Sequence, residues 1–235
     1  MRIVQPEVHI MTPLAPEMLI QIERAGRTCY KSEQEFTVDT AKKFVAMLIN
    51  RGHESVLEHG IITVKFVVDR GVSHEIVRHR IASYSQESTR YCNYSKDKFD
   101  KQITVIEPFE LARPSGHVFG CTCNGCQIQG LWHQAVETAE QRYMALIERG
   151  VKPEWARSVL PNSLKTEIVC TYNFREWRHF FKLRTASAAH PQMRQVAQPL
   201  LAHFTHHIPV LFDDAGTLEN KDNIPWASIY EPIVE

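Results

Sequence analysis

The 235 residues carry 27 Lys and Arg against 27 Asp and Glu, so there is no net field to recruit nucleic acid or an anionic membrane, and a local basic cluster must be judged locally. With 43% hydrophobic and 9% aromatic residues the chain can bury a sizeable core, and one compact domain over residues 1–235 is expected. No apolar run approaches a membrane span, MRIVQPEVHI lacks the apolar stretch of a secretory signal, and six cysteines at this length do not form a small disulfide scaffold; a cytoplasmic protein with reduced thiols is expected.

APEMLIQIERAGRTCY and VDTAKKFVAMLINRG both place apolar residues at helical spacing, the second closed by Gly52. The period then shortens. Ile62, Val64, Phe66 and Val68 alternate with Thr63 and Lys65 as on one face of a strand, until Gly71 breaks the run. VSHEIVRHR restarts as a helix over 73–80, with Ser73 near its cap. Trp132, Val136, Ala139, Tyr143 and Leu146 recur at three and four residues and predict the clearest helix, ended by Arg149 and Gly150. SLKTEIVCTYN alternates like a half-buried strand, and FREWRHFFKLR returns to helical spacing through Phe174, Trp177, Phe181 and Arg184. A last helix starts at Pro191 and runs through Met193, Val196, Leu200 and Phe204, with Pro199 expected to kink or divide it. The tail NKDNIPWASIYEPIVE carries no pattern and is expected to be irregular. The sum is an α/β (α+β) fold, helix-rich, with a mixed sheet.

The densest chemistry lies in RHRIASYSQESTRY, residues 78–91. If 73–80 are helical, Arg78 and Arg80 point about 200° apart and cannot serve one small anion, whereas Glu75 and His79 share a face. Two ligands, or two parts of one, fit this better than a single phosphate. Ser83, Ser85, Ser88, Thr89 and Arg90 then offer hydroxyls and a guanidinium fork, the usual partners of a phosphate monoester. The competing reading is a solvated basic turn.

Arg78-His79-Arg80, then seven residues, then Ser88 resembles the signature of the flavin-dependent thymidylate synthases, the ThyX type. NRGHESVLEHG, with His53 and Ser55, resembles that family's upstream segment; ARSVLPNSLKTEIVCTYNFREWRHFFKLR and AHPQMR resemble its downstream blocks, in the same order. The resemblance implies an α/β homotetramer with active sites shared between subunits. It implies conversion of dUMP to dTMP with bound FAD, 5,10-methylenetetrahydrofolate as one-carbon donor and NADPH as reductant. It assigns Ser55, Arg78, His79, Arg80, Gln86, Asn173, Phe174, Arg175 and His179 to FAD. To dUMP it assigns Glu75, Ile76, Val77, Arg78, Gln86, Glu87, Ser88, Thr89, Arg90, Arg157 and Arg184. Arg184 is the catalytic candidate: against the uracil, its guanidinium would favour negative charge on the N3–O2 edge and so make C5 more nucleophilic. None of the six cysteines sits in the matching blocks as a nucleophile, and Ser88 has no neighbouring base except Glu87, so it is read as a binding residue. The alternative to an enzyme is a nucleotide- or RNA-binding module without catalysis, which a basic stripe with stacking aromatics would favour and the neutral net charge disfavours.

Three features depart from the commonest family pattern. Ser85-Gln86-Glu87 stands where many members have Asn-Glu before the variable residue; Glu75 stands where Gln is frequent, and a carboxylate there needs a donor; His179 stands where Asn is often found. Outside the matched blocks, CTCNGC falls in a Cys-containing loop expected over 115–128. Its Cys121, Cys123 and Cys126, with His117 and His133 nearby in sequence, are candidate zinc ligands, although no metal is required by the reading.

Overall fold

The computed structural model describes residues 1–29, 31–32, 35–112 and 121–232. These gather into two compact units, each assembled from separate stretches: Met1–Pro6, Val67–His74 and Gln86–Ile168 in the first, Glu7–Phe66, Glu75–Ser85 and Val169–Glu235 in the second.

In the first unit, β1 (Arg2–Val4) pairs in parallel with the later Thr104–Ile106 strand, Arg2 opposite Thr104. The helix expected around Trp132 is longer than its periodic core. It covers Asn124–Glu148, because Cys123 caps it and Gly150, at a φ of +82°, ends it in the left-handed region that favours glycine. Thus the loop expected over 115–128 becomes helix from Asn124; residues 113–120 lie outside the described ones. Val136 and Tyr143 bring this helix against Tyr94, Ile103, Val105, Ala156 and Leu164, the unit's apolar core.

The second unit begins with β2 (Glu7–Ile10), α1 (Met18–Thr28) and α2 (Val38–Asn50), the last opened by a capping box in which Thr37 and Thr40 bond each other's backbone amides. A 3₁₀ turn, Glu54–His59, leads into β3 (Ile61–Asp69). Then comes α3, Arg70–Ile76, which differs from the expected 73–80: it starts earlier because Asp69 Oδ1 accepts from the Val72 amide at 2.7 Å. It also stops earlier. The Tyr84 hydroxyl lies 2.9 Å from the Ile76 carbonyl and also bonds the His79 carbonyl, while the Tyr172 hydroxyl donates to Ile76 at 3.3 Å, so carbonyls that would extend a helix are already taken. The Arg-His-Arg letters therefore sit in a turn leading to β4 (Ala82–Gln86).

The chain continues through β5 (Thr104–Ile106), α4 (Asn124–Glu148) and α5 (Pro153–Ala156) to β6 (Lys165–Asn173) and α6 (Phe174–Arg184), the last two at the expected positions. Along α6, Phe174, Trp177, Phe180 and Phe181 are fully buried; Phe174, Trp177 and Phe181 pack with Phe204 and Phe212, and Phe180 against Trp177 and Phe181. Then α7 (Pro191–His207) passes through Pro199 undivided. Proline cannot donate to the Gln195 carbonyl, but the Ala227 amide does so at 2.9 Å, which removes the penalty that would break the helix. Short α8 (Pro209–Phe212) follows, and the supposedly irregular tail forms β7 (Ser228–Tyr230), parallel to β2 with Val8 opposite Ile229. The larger sheet has the order β4-β6-β3-β2-β7, and the fold is mixed α/β and helix-rich. No helix among the described residues is long and apolar enough to cross a membrane.

Candidate active site

The residues expected to carry chemistry divide between the two units. Gln86, Glu87, Ser88, Thr89, Arg90 and Arg157 belong to the first; Ser55, Glu75 to Arg80, Asn173 to Arg175, His179 and Arg184 belong to the second.

In the first unit, a cavity of about 470 Å³ is lined by Arg70, His74, Thr89, Arg157 and Asn162, among others. Arg157 Nη1 donates to Thr89 Oγ1 at 3.1 Å, so two of the expected substrate residues meet. Arg70 Nη1 is buried with no hydrogen-bond partner, an uncompensated donor of the kind that an anion satisfies. Arg70 and His74 were not among the expected residues. Their i, i+4 spacing in DRGVSHE was the available signal. Ser88 Oγ accepts from the Arg90 amide at 3.3 Å, while Arg90 is exposed over the ring of Tyr91. Glu87 is held by Tyr94 at 3.1 Å and Lys165 at 3.1 Å, which occupies the one carboxylate that stood near Ser88 as a base. Gln86 Nε2 donates to Ser73 Oγ at 3.0 Å and Thr166 Oγ1 at 3.2 Å, so its amide braces β4 to its neighbours.

In the second unit, Arg184 ends α6 with three of its five N–H groups committed. Nη1 donates to Glu75 Oε2 at 2.9 Å, Nη2 to the Glu75 carbonyl at 3.0 Å and Nε to His79 Nε2 at 3.1 Å. Arg184 is thus the donor that the unusual carboxylate at 75 required. The Nε bond also fixes the histidine: Nε2 must accept, so Nδ1 carries the proton and donates to Glu176 Oε1 at 2.8 Å. A carboxylate so close would ordinarily favour an imidazolium, but burial and the Arg184 charge hold His79 down to about 4, and burial raises the Glu176 carboxyl. His79 is therefore a buried neutral relay between Arg184 and Glu176, and both its ring nitrogens are engaged within the protein.

A second cavity, of about 740 Å³, lies at the start of α6 and is lined by Asn173, Arg175, Arg178, His179 and Lys182, with Glu54, Glu58 and Asp214 on the acidic side. Asn173 caps α6 by accepting from the Glu176 amide at 2.8 Å. Arg175 pairs with Glu58 at 2.7 Å, and Arg178 grips Asp214 at 2.6 and 3.0 Å. Arg178 and Lys182 were missed, although basic residues at 175, 178, 179 and 182 recur on one face of FREWRHFFKLR, away from its aromatic face. Ser55, Val77, Arg78 and Arg80 are exposed.

Two of the expected contact residues have enclosed side chains. Phe174 is fully buried, its ring against Phe212 and its amide on the Gly60 carbonyl, so its side chain belongs to the core. Ile76 is fully buried with its carbonyl taken by tyrosine hydroxyls. Both follow from being the apolar residues of helices whose polar neighbours face outward.

Residues 14–210 match the Thy1 family, described as thymidylate synthase complementing protein. The chain is 32% identical over 209 residues to the flavin-dependent thymidylate synthase of Geobacter sulfurreducens, covering 86% of this chain and 83% of that one. It is 31% identical over 221 residues to the enzyme of the same name from Corynebacterium aurimucosum, covering 91% and 86%. Among solved structures, a UMP/dUMP methylase PolB from Streptomyces cacaoi bound with 5-Br dUMP superposes with a TM-score of 0.73 at 19% identity, over 91% of this chain and 96% of that one, a likeness of fold.

Proposed function

The chain belongs to the Thy1 family, that of the flavin-dependent thymidylate synthases, and on that premise we propose that it converts dUMP to dTMP in the cytoplasm with FAD bound, 5,10-methylenetetrahydrofolate as one-carbon donor and NADPH as reductant. Residues 1–235 act as one catalytic domain, since each unit draws on several separated stretches of chain. The active form is a homotetramer whose sites draw on several subunits.

The observation that carries the proposal is the first-unit cavity, where the partnerless Arg70 Nη1 lies with the Thr89–Arg157 pair. Two guanidinia and a hydroxyl suit a phosphate monoester, and Ser88 and Arg90 flank Thr89 in the chain as further donors. Arg184 acts on the pyrimidine. Held flat by Glu75 and His79, its two remaining N–H groups are preorganised to stabilise negative charge on the N3–O2 edge, and because the scaffold fixes them beforehand, no reorganisation is needed as that charge develops. Glu75 and His79 are positioning residues in this scheme.

The donors of the second-unit cavity fit a flavin dinucleotide. The capped N-terminus of α6 with Arg175, Arg178 and Lys182 suits a pyrophosphate, and the buried Arg178 Nε makes no hydrogen bond but lies 3.5 Å from Glu54 Oε1. Asn173, Arg175 and His179 would hold the group there, with Arg78, Arg80 and Ser55 as further exposed donors. When bound, the flavin supplies hydride chemistry that no side chain can.

The direct test is release of tritium from C5 of labelled dUMP. It is expected only with FAD, NADPH and methylenetetrahydrofolate all present; a colourless protein that binds no added FAD and makes no dTMP would overturn the proposal. Arg70→Ala is expected to weaken dUMP binding about 10- to 100-fold, the value of one charge-assisted contact, as measured by calorimetry.

A further inference from the structure

Cys121, Cys123 and Cys126 take no part in the proposed reaction, yet their sulfurs all lie within 4.8 Å of one another where the chain enters α4. We propose that these three cysteines form a zinc site, with zinc held by three thiolates and its fourth position filled by water.

The geometry requires little movement. A tetrahedral zinc with Zn–S bonds of about 2.3 Å places its sulfurs about 3.8 Å apart, so shifts of roughly an ångström at most close the present cluster around an ion. The spacing also suits a ligand turn: Cys123 is the N-cap of α4, and its Sγ accepts from the Cys126 amide at 3.5 Å, an N–H···S bond that stabilises a metal-bound thiolate. All three residues are only half-buried, so an ion and its water can reach them. Three protons leave and one divalent cation enters, giving a net charge of −1 on the zinc and its thiolates beside the positive end of a 25-residue helix. Soft sulfur ligands select zinc over magnesium or calcium.

His133 is not the fourth ligand. It lies seven residues along α4 from Cys126, about 10 Å up the helix axis, and its Nε2 is 3.4 Å from Glu107. His117 lies outside the described residues. The ion would tie residue 121 to the first turn of α4, a structural role that does not depend on the enzyme activity being as proposed.

The experiment is elemental analysis of the full chain, purified under reducing conditions without added metal. One zinc per chain is expected, lost in Cys121→Ser, Cys123→Ser and Cys126→Ser but kept in Cys29→Ser, which removes an exposed thiol of the other unit. Cobalt exchanged into the wild-type protein is expected to show a thiolate-to-metal charge-transfer band and the intense visible bands of a tetrahedral site. This readout needs no variant to fold. Zinc content equal in wild type and Cys123→Ser, a cobalt spectrum without thiolate bands, or a Cys123–Cys126 disulfide trapped by alkylation before purification would each overturn the site.

Discussion

Arg184 shows what a single residue gains from its surroundings. A guanidinium on the last turn of a helix would ordinarily be an exposed cation favoured by the helix dipole. Here three bonds to Glu75 and His79 lock its plane, and Glu176 behind His79 fixes the imidazole that receives Nε–H. Arg184→Ala is expected to abolish dTMP formation while flavin absorption is retained; substantial turnover by that variant would remove Arg184 from the chemistry. The same relay sets a pH dependence. His79 is held at about 4 against an ordinary 6.5, so the folded state binds fewer protons than the unfolded one in between. The stability it contributes is complete above 6.5 and declines as the pH falls toward 4. His79→Gln is expected to flatten that part of the stability curve, followed by urea unfolding at a series of pH values. The sequence supplied the identities of Arg184, His79 and Glu75, but placed Glu75 and His79 on one helical face, and the contact that joins them runs through a residue more than a hundred positions away.

The elements divide by how local their causes are. β3, β6, α4 and α6 were legible because period, caps and terminal glycine all act within a few residues. α3, β4 and β7 were not. Tyrosine hydroxyls from β4 and β6 stop α3, and β7 exists because its partner β2 lies more than two hundred residues earlier. Pro199 is the sharpest case, since local rules call for a break and the Ala227 amide supplies the missing donor. Ala227→Pro leaves the buried Gln195 carbonyl without that bond, and a loss of about 1–3 kcal/mol is expected, read as a lowered denaturation midpoint. An unchanged midpoint would mean that the tail does not support α7.

At the scale of the molecule, the expected dUMP contacts at 86–90 and 157 fall in one unit, and those at 75–78 and 184, with the residues around the second cavity, fall in the other. On the proposed function Arg157 and Arg184 both act on dUMP, and mixing tests whether they come from different chains. Arg157→Ala and Arg184→Ala are each expected to be inactive alone; when they are unfolded together and refolded as mixed tetramers, a fraction of activity is expected to return, because sites that draw each residue from the unaltered chain are restored. No recovery, with mixed tetramers verified by native mass spectrometry, would place both residues of a site in one chain. The amino-acid sequence by itself determined the family, the periodic elements and most of the polar residues, because motif spacing and amphipathic period are properties of neighbouring positions. Only the tertiary structure decided which of those residues are free to meet a ligand. It buried Phe174 and Ile76, closed His79 between Arg184 and Glu176, and brought the unexpected Arg70 into the cavity of Thr89 and Arg157, since burial and hydrogen-bond partners depend on residues far apart in sequence.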